Sequence, residues 1–341
     1  MKAVRFHDFR APLEVADLPD PKLPAGGVVI RVMAAGICRS DWHAWQGHDP
    51  DIKSLPHVPG HEFSGIIEAI DPAISQWRVG DRVTVPFACG CGTCRHCEAG
   101  NTQVCPGQFQ PGFSANGAFA EYIALPFAAT NLIGIPETVS FSSAASLGCR
   151  FATAYRALAH PDQACLKAGE KVAIFGCGGV GLSAVMIAHS LGAEVIAVDI
   201  RPEALAHAAR LGATATFHPD DIKDLSVEVS VDAVGSAATC RAAIQSLAPH
   251  GRHVQVGLLL GKESNPPLPM DEVVARELRI IGSHGMGVAG YRELLDRIAT
   301  GKLNPSGIIT SRISLSDLPA TMAAMSTFEN PCGMTIVDRF D

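Results

Sequence analysis

Four cysteines within one short stretch constrain this chain more than any other feature. The run from Cys89 to Cys105 reads CGCGTCRHCEAGNTQVC, and Cys91, Cys94, Cys97 and Cys105 are separated by two, two and seven residues. That spacing lets four thiolates converge on one tetrahedral Zn²⁺, with Gly90, Gly92 and Gly100 freeing the backbone to wrap the ion. A closed site of four sulfurs has no open coordination position, so it holds structure and performs no chemistry. Any reactive metal must then sit elsewhere, on different ligands.

The 341 residues suggest about two domains. With 47% hydrophobic and 18% charged residues the chain can bury a sizeable core. A net charge of −7 and the lack of any basic run argue against nucleic acid or an anionic membrane as partner. Apolar stretches are interrupted by Gly, His or charge well short of the roughly 18 residues of a membrane span. The start, MKAVRFHDFR, lacks the apolar core of a signal peptide. Eleven cysteines without an export signal point to a reducing compartment, the cytoplasm, and to metal ligands or free thiols rather than disulfides.

Residues 1–150 are rich in Pro, Gly and short β-type runs (Val28–Val32, Gly65–Ile70, Arg82–Pro86, Ala118–Ala124), the texture of a mostly β domain with irregular loops. From about 150 the pattern changes to alternating strands and helices. Lys171–Gly176, Glu194–Asp199, Val229–Ala233 and His253–Val256 read as buried strands. Val180–Leu191, Pro202–Leu211 and Ala237–Leu247 read as helices, the first two closed by Gly192 and Gly212. This is the order of a parallel sheet covered on both faces, an α/β fold. A helix over Gly290–Thr300 and a strand at Thr335–Phe340 that returns to the first domain complete the chain.

Gly176, Gly178, Gly179, Val180 and Gly181 form GCGGVG between an expected strand and an expected helix, the context that gives GxGxxG its meaning. The glycines permit a tight turn and let a pyrophosphate approach the backbone, where the helix offers free N–H groups and the positive end of its dipole. Asp199 ends the next strand, 21 residues after Gly178. A carboxylate there accepts hydrogen bonds from ribose hydroxyls and repels a 2′-phosphate, favouring NAD over NADP, with Arg201 close enough to soften the preference.

Three further residues are candidate metal ligands: Cys38 in AAGICRSDWH, His61 in VPGHEFSG and Cys149 in AASLGCRFAT. Two sulfurs and one imidazole would leave a fourth zinc position for water or substrate. Taken singly, each is equally a packed core residue, and their separation in sequence proves no geometry.

Four blocks, in order, carry a resemblance: GICRSDWHAWQG, PGHEFSG, CGTCRHCEAGNTQVC, and GCGGVG followed by VIAVDIRPEAL. Along essentially its whole length the chain resembles the zinc-dependent medium-chain alcohol dehydrogenases. The resemblance implies a GroES-like, mostly β catalytic domain (1–150, with a structural-zinc lobe at about 88–106) and a doubly wound Rossmann domain (151–287). It also implies a C-terminal return to the catalytic domain (288–341) and an active site in the cleft between the domains. Cys38, His61 and Cys149 would bind a catalytic zinc, and Cys91, Cys94, Cys97 and Cys105 a structural one. Glu62 would approach the metal transiently, and Asp41 would orient His61. Ser40 and His43 match the family's proton relay. Arg39 would contact the cofactor pyrophosphate, Thr153 and Val180 would press on the nicotinamide, and Phe87 and Trp42 are candidate pocket walls.

The activity implied is reversible, NAD-linked oxidation of an alcohol to an aldehyde or ketone, with hydride passing to nicotinamide C4. The assembly implied is a homotetramer rather than a dimer. Three departures stand out. Cys89 is an extra thiol beside the zinc motif, Met334 stands where relatives often carry a basic residue for the cofactor phosphates, and His48 and Asp49 replace an apolar pocket residue. His57, Cys165, Cys177 and Cys240 match no family role. Polyol or amino-alcohol relatives are the rival reading, but polyol enzymes commonly place a carboxylate where this chain has Cys149. Asp199 disfavours a cinnamyl-type NADPH enzyme. A non-catalytic zinc or redox-sensing relative would have lost a ligand or a relay residue, and both sets are intact.

Overall fold

The computed structural model describes residues 1–222, 225–327 and 332–340; positions 328–331 and 341 of the C-terminal segment lie outside them. Two units divide the chain: Met1–Ala152 with Gly285–Asp341, and Thr153–His284. Among the described residues no helix is long and apolar enough to cross a membrane.

The first unit is organised by one long strand, Val28–Ile37, at the centre of a seven-stranded sheet. One edge pairs antiparallel with Glu62–Ile70. The other edge is shared: Val28–Arg31 takes Tyr122–Leu125, and Ala35–Ile37 takes the C-terminal strand Met334–Arg339. The strand outruns the sequence expectation, which stopped at Val32. Met33–Ile37 contains two alanines and a glycine, poor strand formers, and tertiary pairing with residues near the C-terminus holds them extended. The antiparallel register sets Gly36 opposite Glu62, so Cys38 and His61 emerge beside each other where the two strands meet. Phe6, Ile30, Phe63, Ile67 and Phe119 pack the core beneath the sheet.

Other elements of this unit depart from the expectation. The N-terminal pair Lys2–Arg5 with Glu14–Asp17 and the edge strand Ile309–Ser314 carry too weak an alternation to be read from sequence. Of the expected strand Ala118–Ala124, only the last three residues are regular, in a strand Tyr122–Leu125; Phe119 and Ala120 instead bond to the N-terminal strand.

The second unit is a six-stranded parallel sheet in the order Ala215–Phe217, Glu194–Val198, Lys171–Phe175, Val227–Asp232, Leu247–Gln255, Arg279–Gly282. Numbered along the chain this is 3-2-1-4-5-6, the doubly wound order whose reversal point lies at the first strand. Helices Gly179–Ser190, Pro202–Arg210 and Ala237–Gln245 fall where hydrophobic pattern and punctuation place them. Pro202 opens the second, and Gly212, at φ 109°, follows its end in a conformation that suits glycine. Ala173, Phe175, Ile196, Val198 and Ile244 fill a face of this sheet. The fold is α/β, a GroES-like mostly β part with a Rossmann-type parallel sheet.

Candidate active site

Cys38 follows directly on the central strand and is the N-cap of helix α1 (Arg39–Trp45). Asp41, three residues on, accepts the Cys38 backbone N–H at 2.9 Å and so closes a capping box. The same buried carboxylate accepts the Gly60 N–H at 3.2 Å and meets His61 Nδ1 at 2.7 Å. One side chain therefore ties together a helix start, a glycine turn and an imidazole. With Nδ1 committed to Asp41, His61 turns its other nitrogen inward. That Nε2 is buried and has no hydrogen-bond partner, an orphan that calls for a ligand.

The ligand atoms of Cys38, His61, Glu62 and Cys149 all lie within 4.8 Å of one another. Their electrostatics are those of a site built for a cation. A hydrogen bond from the Cys149 thiol pulls Cys38 well below the ordinary thiol range against its burial, and Arg150 adds to the effect. The same contact, with burial, drives Cys149 well above that range. For His61, burial works against the charged ring, and the Asp41 carboxylate more than offsets it, raising its pKa well above the usual value.

Cys149 sits on a π-helical turn, Leu147–Phe151, a rare geometry found often at functional sites. Tyr291, fully buried, fixes that turn by donating its hydroxyl to the carbonyls of Leu147 at 3.1 Å and Gly148 at 3.3 Å. Arg150, next to Cys149, grips Glu62, next to His61: its backbone N–H reaches Oε1 at 2.8 Å and its Nε reaches Oε2 at 2.9 Å, with Nη2 on the same oxygen. Burial opposes the charge on Arg150, but Glu62 outweighs it and the guanidinium stays charged. Phe87 and Phe113 stand against the His61 ring, at centroid distances of 6.1 and 5.0 Å. Sequence reasoning did not single out Arg150, Tyr291 or Phe113. For Arg150 a signal existed, an opposite charge following each of two candidate ligands.

Along α1, Ser40 and His43 are half-buried. His43 is held down to about 4, chiefly by burial, then by the charges of Arg39 and His48. Arg39 lies 3.7 Å over the Trp42 ring and donates to the Met325 carbonyl at 2.6 Å; Trp42 Nε1 donates to Ser326 Oγ at 2.9 Å. Trp42 thus supports the helix face beside His43, 5.0 Å away between ring centroids.

The second sulfur cluster is Cys91, Cys94, Cys97 and Cys105. Cys94 Sγ lies 3.6 Å from Cys97 Sγ and 3.7 Å from Cys105 Sγ, and no disulfide joins them. The Thr93 backbone and hydroxyl pull Cys91 down to about 6, while burial pushes Cys97 up to about 12. Asn131 clamps the lobe by bonding both the N–H and the carbonyl of Gly90 at 2.8 Å. Cys89 is not part of this group. It is buried, donates to the Pro86 carbonyl at 3.2 Å and is pushed up to about 12 by burial.

In the second unit Gly176 has φ 93°, and a Cβ on Gly181 would strike the Gly176 carbonyl oxygen at 1.7 Å. Gly178, the N-cap of Gly179–Ser190, has open space on its Cβ side and offers no capping side chain, so the first helical N–H groups remain available to an anion. The Asp199 carboxylate accepts from the Cys177 N–H at 2.6 Å and the Arg201 N–H at 2.9 Å, which orders the glycine loop against the second strand. Val180 is half-buried and Thr153 buried. Met334 is buried in its strand.

Comparison with known proteins agrees with this arrangement. Residues 24–137 match the model of the alcohol dehydrogenase GroES-like domain, and residues 179–300 that of the zinc-binding dehydrogenases. An alcohol dehydrogenase of Geobacillus stearothermophilus is 36% identical over 312 residues, 89% of this chain and 90% of the relative. The chain belongs to the zinc-dependent medium-chain alcohol dehydrogenase family. A sorbitol dehydrogenase of Bacillus subtilis is 31% identical over 97% of this chain and 95% of the relative. Among solved structures, the alcohol dehydrogenase TADH from Thermus sp. ATN1 superposes with a TM-score of 0.90 at 30% identity, covering 100% of both chains. The cofactors that fit these sites are two zinc ions, one catalytic and one structural, and NAD.

Proposed function

We propose that this chain oxidises an alcohol reversibly to an aldehyde or ketone, with NAD as hydride acceptor. The observation that carries the reading is the convergence of buried Cys38 and His61 with half-buried Cys149 around an orphaned imidazole nitrogen. Two soft sulfurs and one imidazole suit zinc, and Glu62, committed to Arg150, leaves one coordination position open. When bound, zinc supplies a Lewis acid that lowers the alcohol pKa, and NAD⁺ supplies the hydride acceptor.

The residues of the chain do the rest. Cys38, His61 and Cys149 would hold the metal, Glu62 would border it, and Asp41 keeps Nε2 of His61 pointed inward. Ser40 Oγ takes the alcohol proton and His43, neutral at physiological pH, passes it outward. Phe87 and Phe113 wall the site and exclude water. Cys91, Cys94, Cys97 and Cys105 hold the structural zinc. Gly176, Gly178, Gly179 and Gly181 admit the cofactor pyrophosphate, Arg39 adds a positive charge for it, and Thr153 and Val180 bear on the nicotinamide. Asp199 selects NAD, with Arg201 beside it. In this reading 1–150 and 288–341 form the catalytic part and 151–287 the cofactor domain. On the same reading the enzyme is a cytoplasmic homotetramer, supported by the family likeness.

The deciding experiment follows NADH absorbance with pure protein across primary, secondary, aromatic, amino and polyol alcohols. Turnover on any of them supports the reading, and its ranking identifies the substrate class. Protein that contains both zinc ions and binds NADH, yet is silent on the whole panel, would overturn it. Asp199→Gly should reduce the NAD-to-NADP preference, and an unchanged ratio would remove Asp199 from that role.

A further inference from the structure

We propose that His48 is the outer station of the proton relay, receiving the proton from His43 and releasing it to bulk water. The inference rests on the dehydrogenase reading and extends it by one residue.

The pairing follows from the way α1 ends. Gln46 is its C-cap and Gly47 takes φ 75°, a left-handed conformation that suits glycine. Gly47 N–H then bonds to the Ala44 carbonyl at 3.0 Å, and His48 N–H to the His43 carbonyl at 3.0 Å. These two bonds define a Schellman motif, which folds the second residue past the cap back beside the third residue from the helix end. An apolar contact frequently accompanies this motif at that position. Here both residues are histidines, with Nδ1 facing Nδ1 at 3.0 Å and ring centroids 5.3 Å apart. Two facing ring nitrogens at this distance share one proton: one donates and the other accepts.

The surroundings give the pair a direction. His43 is half-buried and His48 exposed. The groups acting on His43 are Arg39, His48 and, in the opposite sense, the Cys38 thiol. The Trp42 ring stands edge-on to both imidazoles, at 5.0 and 5.8 Å, and is itself fixed by Arg39 above it and by Ser326. A proton on His43 is therefore disfavoured by burial and by Arg39, whereas His48 lies at the water boundary. When a proton arrives at Nε2 of His43, the Nδ1 proton moves to Nδ1 of His48, and His48 gives its Nε2 proton to water. One proton enters and one leaves, and no bond to carbon is involved.

The test uses His48→Gln and His48→Phe in the full-length enzyme. The first keeps a polar side chain and the second an aromatic ring; neither can take up and release a proton near neutral pH. In cofactor-free protein, the NMR titration of His43 should shift in both variants. In the loaded enzyme, proton release measured with an indicator dye should slow about tenfold, below the roughly 10²–10⁴-fold contribution of a general acid–base group at the reacting atoms. KM should stay near wild type, and added imidazole buffer should restore the rate. An unmoved His43 titration, or proton release at the wild-type rate without any response to imidazole, would overturn the proposal. The titration needs neither alcohol nor cofactor, so failure of the pair and failure of the dehydrogenase reading are separable.

Discussion

The two sulfur clusters of the first unit solve one problem in opposite ways. Cys91, Cys94, Cys97 and Cys105 lie on a single local wrap of chain, and three of the four are partly exposed. Their geometry comes from short-range turns and from one clamp, Asn131 on Gly90. Cys38, His61 and Cys149 come from a strand end, a glycine turn and a π-helical turn far apart in sequence. Buried partners fix them: Asp41 bonds both the Cys38 N–H and the His61 ring, Arg150 holds Glu62 beside His61, and Tyr291 braces the turn that carries Cys149. A structural site can be closed by its own segment. A reactive site with a free position needs the whole domain to hold its ligands, because no fourth protein ligand completes the set.

The contrast can be broken most directly by removing one ligand from each cluster. Cys38→Ser should retain the fold and NADH binding while turnover falls about 10³-fold, the scale set by losing several kcal/mol of Lewis-acid stabilisation. Cys94→Ser should instead reduce the zinc content from two to one by elemental analysis and lower thermal stability. If turnover of Cys38→Ser stays near wild type, the two clusters do not differ in role.

Arg150→Met asks whether the reactive cluster depends on its outer partners. It leaves the Glu62 carboxylate buried without its cation and should destabilise the protein by about 3–5 kcal/mol in urea unfolding. Combining it with Glu62→Leu should recover most of that loss, since a well-packed apolar pair often equals a buried ion pair. Failure of the second substitution to rescue would show that Glu62 is needed for more than pairing with Arg150. Asp41→Asn is gentler. It should lower metal affinity at the reactive site about 10–100-fold, read by competition with a chelator, without emptying the four-cysteine lobe.

The smallest effect concerns pH. Burial depresses the pKa of His57, and that of His253 in the second unit, below the ordinary histidine value of 6.5. Above that value both are neutral whether folded or unfolded, so they contribute no pH dependence. As pH falls through 6.5 the unfolded chain binds protons that the folded protein refuses, so stability drops until the lower folded pKa is reached. Each histidine adds a slope of at most about 1.4 kcal/mol per pH unit. His57→Gln should flatten the acid limb of a stability–pH profile measured by urea unfolding; an unchanged limb would exclude His57 as a contributor.

Local pattern carried the second unit well. Its central strands Lys171–Phe175 and Glu194–Val198 are apolar runs, its helices are bracketed by Pro202, Gly192 and Gly212, and the glycine loop joins one to the other, while the edge strands Ala215–Phe217 and Arg279–Gly282 were not read. The first unit was less legible. Its longest strand depends on pairing with residues some three hundred positions away, and Met33–Ile37 has no strand signal of its own. Arg150 offered only a faint signal as a partner for Glu62, an opposite charge after each of two candidate ligands, because nothing in two separate dipeptides states that they meet. Trp42, a candidate pocket wall, lies beneath Arg39 and beside His43, neighbours that its place in sequence did not announce.

By itself the sequence determined whatever depends on neighbours within a few residues. That includes the spacing of the four cysteines, the capping of α1 by Cys38 and Asp41, the glycine turn that opens a helix to phosphate, and the Gly47 turn that sets His48 beside His43. Only the tertiary structure decided what those parts are brought against: the strand register that aligns Cys38 with His61, the Tyr291 hydroxyl under the Cys149 turn, and the burial that sets the protonation of the cluster. The physical reason is range. Backbone conformation and local hydrogen bonds are properties of short segments, whereas burial, charge pairing and desolvation exist only once distant segments have met.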